Sequence, residues 1–246
     1  MSRVVAVAGG TLGLGTTTTV LHVAEALRIS GQSTLILDLD PQGDAAQVLG
    51  IPRSRSGILE RLLKGEEAPE RVGLLVRSVQ PGLDLIPGDV TLDEARLERP
   101  RGRALKAIIQ DLTPTYPWIL LDCPPSMGWL TRTACAAADL ILCPFSASRA
   151  PWDVPKLGPL QDLAEIVDLW LLPTRSRETQ DLEWLRSRGA TKGVTVCATI
   201  IPEDPDVMAA RSRGQTVFSE AIEGRAARAY AQLVKEITRH DRQKTR

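Results

Sequence analysis

The sequence predicts an α/β fold, a doubly wound, mostly parallel sheet with helices on both faces. Short, near-continuous apolar runs alternate with helix-length stretches along the chain, as expected of strands buried on both faces and joined by crossover helices. The 246 residues are 43% hydrophobic and 24% charged. That is enough apolar material for one sizeable core and too much for a disordered chain. No linker-like composition, internal repeat or low-complexity segment interrupts the pattern, so residues 1–246 read as one domain.

The elements follow in order. Residues 3–8 form the first apolar strand, and a helix over 17–30 follows a glycine-rich turn. Strand 34–38 comes next. Residues 51–81 break the rhythm and read as an excursion carrying one amphipathic helix, marked by Ile58, Leu59, Leu62 and Leu63. Further strands are expected at 83–86, 118–122, 140–144, 169–172 and 194–201. The helices between them are expected at 103–112, 129–138, 156–167 and 179–188, with a last one near 225–240.

Charge and cysteine usage narrow the function. Lys+Arg and Asp+Glu balance at 30 each, which excludes a chain that is polybasic throughout. From Met208 to Arg246, however, nine Lys/Arg stand against four Asp/Glu. This end either meets a polyanion or is a solvated helix with an arginine-rich face. Cys123, Cys135, Cys143 and Cys197 lie in apolar runs without metal-ligand spacing and read as buried free thiols of a reducing compartment. No signal peptide is apparent and no apolar run reaches the ~20 residues of a membrane span, so a soluble, cytoplasmic protein is expected.

The chemistry is concentrated at strand ends. The first strand runs into Gly9-Gly10-Thr11-Leu12-Gly13-Leu14-Gly15-Thr16-Thr17-Thr18 and then a helix. A strand, a glycine-rich loop and a helix N-terminus together hold phosphates, because inward-pointing N–H groups and the helix dipole favour an anion. The second strand ends Asp38-Leu39-Asp40-Pro41-Gln42-Gly43, and the 118–122 strand ends Asp122-Cys123-Pro124-Pro125-Ser126. Carboxylates there lie at the carboxyl edge of the sheet, where open α/β folds bind ligands, and one or two such groups suit Mg²⁺. His22 reads as a packed or surface helix residue. The scattered tryptophans show no stacking pattern for single-stranded nucleic acid; Trp152 and Trp184 are candidates for a partner surface.

These motifs resemble those of the ParA/MinD family of deviant Walker-type P-loop ATPases, and most closely the short ParA proteins. The family's loop reads K-G-G-x-G-K-T-T and its later motifs D-x-D-P-Q-G and D-x-P-P-S. The resemblance continues through Gly82–Gly88, Ala136–Pro144, Ile200-Ile201-Pro202, Gly214–Val217 and Ala229–Leu233. It implies a nucleotide-binding set of Gly10, Thr11, Leu12, Gly13, Leu14, Gly15, Thr16, Thr17 and Thr18, with Pro202 and Asp204 bordering the base. It also implies ATP or ADP with Mg²⁺ as cofactors, Thr17, Asp38 and Asp122 around the metal, and Asp40 as the catalytic, water-positioning carboxylate.

The chain departs from the family inside the loop. Thr16 stands where the phosphate-gripping lysine belongs, Thr11 where the signature lysine belongs that reaches across a dimer, and Leu12 replaces a glycine. A lost charge-assisted contact in a desolvated site costs about 2–4 kcal/mol, or ~30–1000-fold. Arg149 or Lys156, after the 140–144 strand, is a candidate substitute cation.

Two functions follow. By resemblance, the protein is a nucleotide-dependent partition or positioning protein. It would dimerise on ATP, bind DNA non-specifically and be released by a ParB-like or other adaptor, with hydrolysis weakened. Arg211, Arg213, Arg225 and Arg228 are the candidate DNA contacts, and Arg175, Arg177, Arg186 and Arg188 form a second patch diluted by acids. Alternatively, it is a pseudo-ATPase that keeps the fold as a scaffold or dimerisation partner. The end of the chain has no apolar face for a membrane, and the start of the core strand at Arg3 argues against an operator-binding segment.

Overall fold

The structure is a computed structural model that describes residues 2–9, 13–92, 102–146, 160, 163, 166–175 and 193–244. Its strands are β1 (Arg3–Val7), β2 (Thr34–Asp38), β3 (Arg77–Gln80), β4 (Leu83–Ile86), β5 (Trp118–Asp122), β6 (Leu140–Ser146), β7 (Asp168–Thr174) and β8 (Val194–Val196). They form one eight-stranded sheet in the order β3-β4-β2-β5-β1-β6-β7-β8. Every pairing is parallel except β3 with β4. The strand order reverses direction around β1, which places the carboxyl ends of β1, β2 and β5 side by side.

Alternation along each strand sends side chains to two separate cores. Val4 and Ala6 of β1, Leu35 and Leu37 of β2 and Leu121 of β5 meet α3 (Ile58–Lys64), α4 (Gly102–Leu112) and α5 (Trp129–Ala137). Val5, Val7, Ile36 and Leu120 meet α1 (Thr16–Ile29), α2 (Asp44–Val48) and the long C-terminal helix. The remaining helices are α6 (Pro205–Ser212), α7 (Val217–Glu220) and α8 (Arg225–Lys244). The doubly wound architecture is therefore as the sequence predicts, and all four cysteines are buried free thiols. Among the described residues, no helix is long and apolar enough to cross a membrane.

Helices α2, α6 and α7 were not anticipated, and two strands differ from expectation. Strand β3 was not anticipated: Arg77-Ser78-Val79-Gln80 has one apolar residue, and it pairs on one side only, as an irregular edge. The 194–201 strand stops at Val196 because the next two backbone donors leave the ladder: the Glu236 carboxylate of α8 accepts the N–H groups of Ala198 (2.7 Å) and Thr199 (2.9 Å). The excursion over 51–81 holds α3, a 3₁₀ turn (Pro69–Leu75) and β3, and thus returns to the same sheet. The helix expected at 179–188 and most of that at 156–167 lie outside the described residues, as do Trp152 and Trp184.

His22 joins three of these elements. Its Nδ1–H donates to the Thr18 carbonyl (2.7 Å), its Nε2 accepts the Val217 N–H (3.2 Å), and its ring stacks on Tyr230 at 4.6 Å. Burial pushes its pKa down to about 4, against the opposing influences of the Thr18 carbonyl and Glu25. The folded state thus refuses a proton that the unfolded chain takes near 6.5. The resulting stability is present above that value and is lost as pH falls from about 6.5 to about 4. Denaturant titrations should therefore show the parent's advantage over His22→Gln shrinking by about 3 kcal/mol between neutral pH and pH ~4. An advantage independent of pH would contradict this.

Candidate functional site

The edge formed by β1, β2 and β5 brings together the acids singled out in the sequence. Asp38 and Asp122 sit opposite each other in the parallel β2–β5 register and are both 0% exposed. Asp40, two residues on, is also buried, and its N–H donates to Asp38 Oδ1 at 2.9 Å. Gly88, just after β4, closes this corner. A Cβ there would stand 2.3 Å from the Asp40 carbonyl oxygen and 3.1 Å from the Asp38 carboxyl carbon, so the chain passes too close for any side chain.

These acids are short of partners. Asp38 Oδ2 and both oxygens of Asp122 are buried and, among the described residues, accept no hydrogen bond. Burial pushes the Asp38 carboxyl up to about 8, with the Asp40 charge adding to it and N–H donors from Asp40 and Gly88 opposing it. Burial likewise raises Asp122, and the nearby Asp38 charge raises it further. The Thr17 hydroxyl approaches Asp122 and favours its charged form, at a geometry short of a hydrogen bond. Burial raises Asp40, while the Gln42 N–H donates to it at 2.8 Å. Buried, unpaired carboxylates of this kind must bind either a proton or a cation.

A cation fits the donor set. Two orphaned carboxylates and the Thr17 hydroxyl share one corner beside a helix N-terminus, a hard-oxygen environment of the kind Mg²⁺ takes when phosphate oxygens and water complete its shell. Among the described residues, no three His, Cys, Asp or Glu groups form a protein-only metal cluster.

The loop before α1 has the geometry of an anion cradle. Gly13 and Gly15 adopt φ of 82° and 90°, which L side chains rarely reach. Gly15 starts α1 without a side-chain cap, leaving the first helical N–H groups available to a ligand. Gly9 approaches Thr16 so closely that a Cβ would lie 2.9 Å from its hydroxyl. Thr16 is thus packed back on the strand end. The first lysine of the chain is Lys64, so none lies in or near the loop sequence. Gly10, Thr11 and Leu12, and the candidate cations Arg149 and Lys156, lie outside the described residues.

A cavity of about 280 Å³ continues from this loop. Its walls include Leu14, Gly15 and Thr18 on one side and Pro202, Asp204 and Met208 on the other. Pro202 and Asp204, the two residues expected beside a base, thus both line this cavity. Asp204 also holds the wall together: it caps α6 by accepting the Asp206 N–H (3.1 Å) and accepts the Ala226 N–H (3.2 Å) at the start of α8. The sequence reading missed Arg175, which it placed in a diluted surface patch. Arg175 follows β7, lines this cavity with φ of 51°, and its charge acts on the buried Tyr230 hydroxyl. The signal available was its position one residue past a strand end at the ligand-binding edge. Arg177, Arg186 and Arg188 lie outside the described residues.

The candidate DNA contacts are less free than the sequence suggests. Arg211 pairs with Asp44 (2.9 Å), Arg228 with Glu223 (2.9 Å), and Arg213 with Glu220. Arg225 is exposed and forms no ion pair among the described residues.

Residues 2–153 match a family model described as an AAA domain. The chain is 31% identical to the chromosome partitioning protein ParA of Caulobacter vibrioides, over 98% of this chain and 95% of that one. It is similar to cobyrinic acid a,c-diamide synthase from Mycobacterium smegmatis with bound ADP and magnesium. That structure has a TM-score of 0.77 and 28% identity, with 98% of this chain and 96% of that one covered. The septum site-determining protein MinD from Pyrococcus horikoshii OT3, complexed with Mg-ADP, shares the fold at a TM-score of 0.75 and 23% identity, over 96% of each chain. Fold, strand-end motifs and relatives agree, and the chain belongs to the ParA/MinD family of P-loop ATPases.

Proposed function

We propose that this protein is a nucleotide-dependent partition or positioning protein. In this reading it binds ATP or ADP with Mg²⁺ at the β1–β2–β5 edge, pairs with a second copy, holds DNA without sequence preference, and hydrolyses ATP weakly. The observation that carries the reading is the pair Asp38 and Asp122, buried and short of donors beside Thr17 and the cradle of α1. A scaffold without a ligand gains nothing from keeping two such groups out of water, since each is destabilising unless something binds it.

The roles divide by position. Gly13, Gly15 and Thr18 face the phosphates with backbone and hydroxyl, while Pro202, Met208 and the cavity wall receive the base. Thr17, Asp38 and Asp122 hold the metal, which when bound supplies positive charge to the phosphate oxygens. Asp40 orients water at the outer end of the corner. Arg175 is the cation that the described part of the cavity offers. It lies on the β7 side, and the loop positions themselves carry threonine at 11 and 16. Stabilisation of charge on the transferring phosphoryl group by the described residues is therefore poor, and this supports slow turnover.

DNA retention in this reading depends on the C-terminal region. Three of the four arginines already neutralise acids, which leaves Arg225, Lys235 and Arg239 on the exposed face of α8 as the freer charges. Contacts of this kind are sequence-blind and fall steeply with salt.

Three measurements test the reading. Calorimetric titration with ATP should show micromolar, magnesium-dependent binding that loses its magnesium dependence in Asp122→Ala. No heat at millimolar ATP would instead support the scaffold role. In the same titration Arg175→Ala should weaken ATP binding by roughly 10–100-fold, the worth of one charged hydrogen bond; an unchanged affinity removes Arg175 from the site. Filter retention of duplex DNA should fall more in Arg225→Glu than in Arg211→Glu and vanish at high salt. Salt-independent retention would overturn the DNA assignment.

A further inference from the structure

A second concavity lies on the opposite face of the sheet from α1, between α4 and α5. It encloses about 770 Å³, and no acidic residue is among its described lining residues. On α5, Trp129, Arg132, Thr133 and Ala136 follow i, i+3, i+4, i+7 spacing and share the groove-facing side, while Leu130, Ala134 and Cys135 pack into the core. On α4, Arg103 and Lys106 are one turn apart and line the same groove, while Leu105, Ile108 and Ile109 are buried. The floor is apolar, from Met127, half-buried Trp129 and Leu163. The rim is cationic: Arg103, Lys106 and Arg132 are all exposed, and none forms an ion pair with a described residue.

We propose that this groove is a docking site for an acidic peptide segment of a partner protein, anchored by one or two apolar side chains. Charge complementarity sets the sign of the occupant. Arg103, Lys106 and Arg132 surround the groove and pair with no acid among the described residues, whereas Arg211, Arg213 and Arg228, on the α1 side of the sheet, are each matched by an acid. The floor sets the rest of its chemistry. An aromatic and aliphatic surface inside a polar rim is the layout of a protein–protein hot spot, and a phosphate backbone has nothing apolar to place there. The groove also touches the nucleotide edge through the chain itself. Met127, Gly128 and Trp129 continue the segment that leaves Asp122 through Cys123, Pro124, Pro125 and Ser126. An occupant therefore presses on the same segment that carries Asp122. Docking itself does not require the nucleotide reading, and it is expected of the nucleotide-free chain.

The test is selection from a displayed random peptide library on the full chain, in parallel with the Arg103→Glu/Lys106→Glu/Arg132→Glu variant and with Trp129→Ala. The three cations are exposed, so the charge-reversed variant should melt with the parent. The parent is expected to enrich peptides of net negative charge bearing aromatic or aliphatic residues. Their affinity should drop at least tenfold on the charge-reversed variant, drop on Trp129→Ala, and weaken with added salt. Enrichment without acidic bias, or equal capture by parent and charge-reversed variant, overturns the proposal. So does duplex DNA that displaces the peptides and binds Trp129→Ala as well as the parent, because the face is then a phosphate surface. Sedimentation in which the parent self-associates and the charge-reversed variant does not would assign the groove to a second copy and would likewise overturn it.

Discussion

Two carboxylates held side by side out of water set the terms for this molecule. Asp38 and Asp122 end neighbouring parallel strands in exact register, so the sheet itself fixes their separation. Neither can swing to solvent, and among the described residues three of their four oxygens accept no hydrogen bond. Like charges buried together are tolerated only when a proton or a cation resolves them. The surrounding chain leaves that choice open. It supplies the Thr17 hydroxyl and the bare start of α1, and no basic side chain from the described residues enters the corner.

The rest of the site depends on α1 being held in place, and the fold does this from several directions. The Thr174 hydroxyl donates to the Phe145 carbonyl at 2.9 Å and reaches the Leu14 carbonyl at 3.4 Å, tying the loop to β6 and β7. His22 ties the helix to the start of α7 and stacks it on α8. Asp204 fastens the far wall of the cavity to α8, and Glu236 of α8 fastens the backbone that follows β8. The C-terminal helix is thus a brace across the phosphate-cradle side of the sheet.

Much of this was legible in the sequence, for physical reasons. Strands buried on both faces leave near-continuous apolar runs, and β2, β4 and β5 begin and end where the runs do. The acids stood out because a carboxylate ending an apolar strand has no packing explanation. Edge and end effects were harder to see. Strand β3 carries little apolar signal because only one side of it is paired. Strand β8 is cut short by a side chain 38 residues away from Ala198, a distance no local pattern spans. Helix α6 was readable and overlooked, since Asp204-Pro205 is a cap followed by a first-turn proline. Ion pairs such as Arg211 with Asp44, 167 residues apart, and the role of Arg175 depend on tertiary placement alone.

Gly88 carries a consequence for how this site can vary. The backbone of Asp40 passes within 2.3 Å of where its Cβ would be, and that obstacle is main chain rather than a flexible side-chain tip. No rotamer change relieves it; only a shift of the Asp38–Asp40 segment does. Position 88 therefore behaves as part of the acidic corner although it contributes no functional group of its own. The edge that carries Asp38 and Asp40 therefore cannot gain even a methyl group at this point.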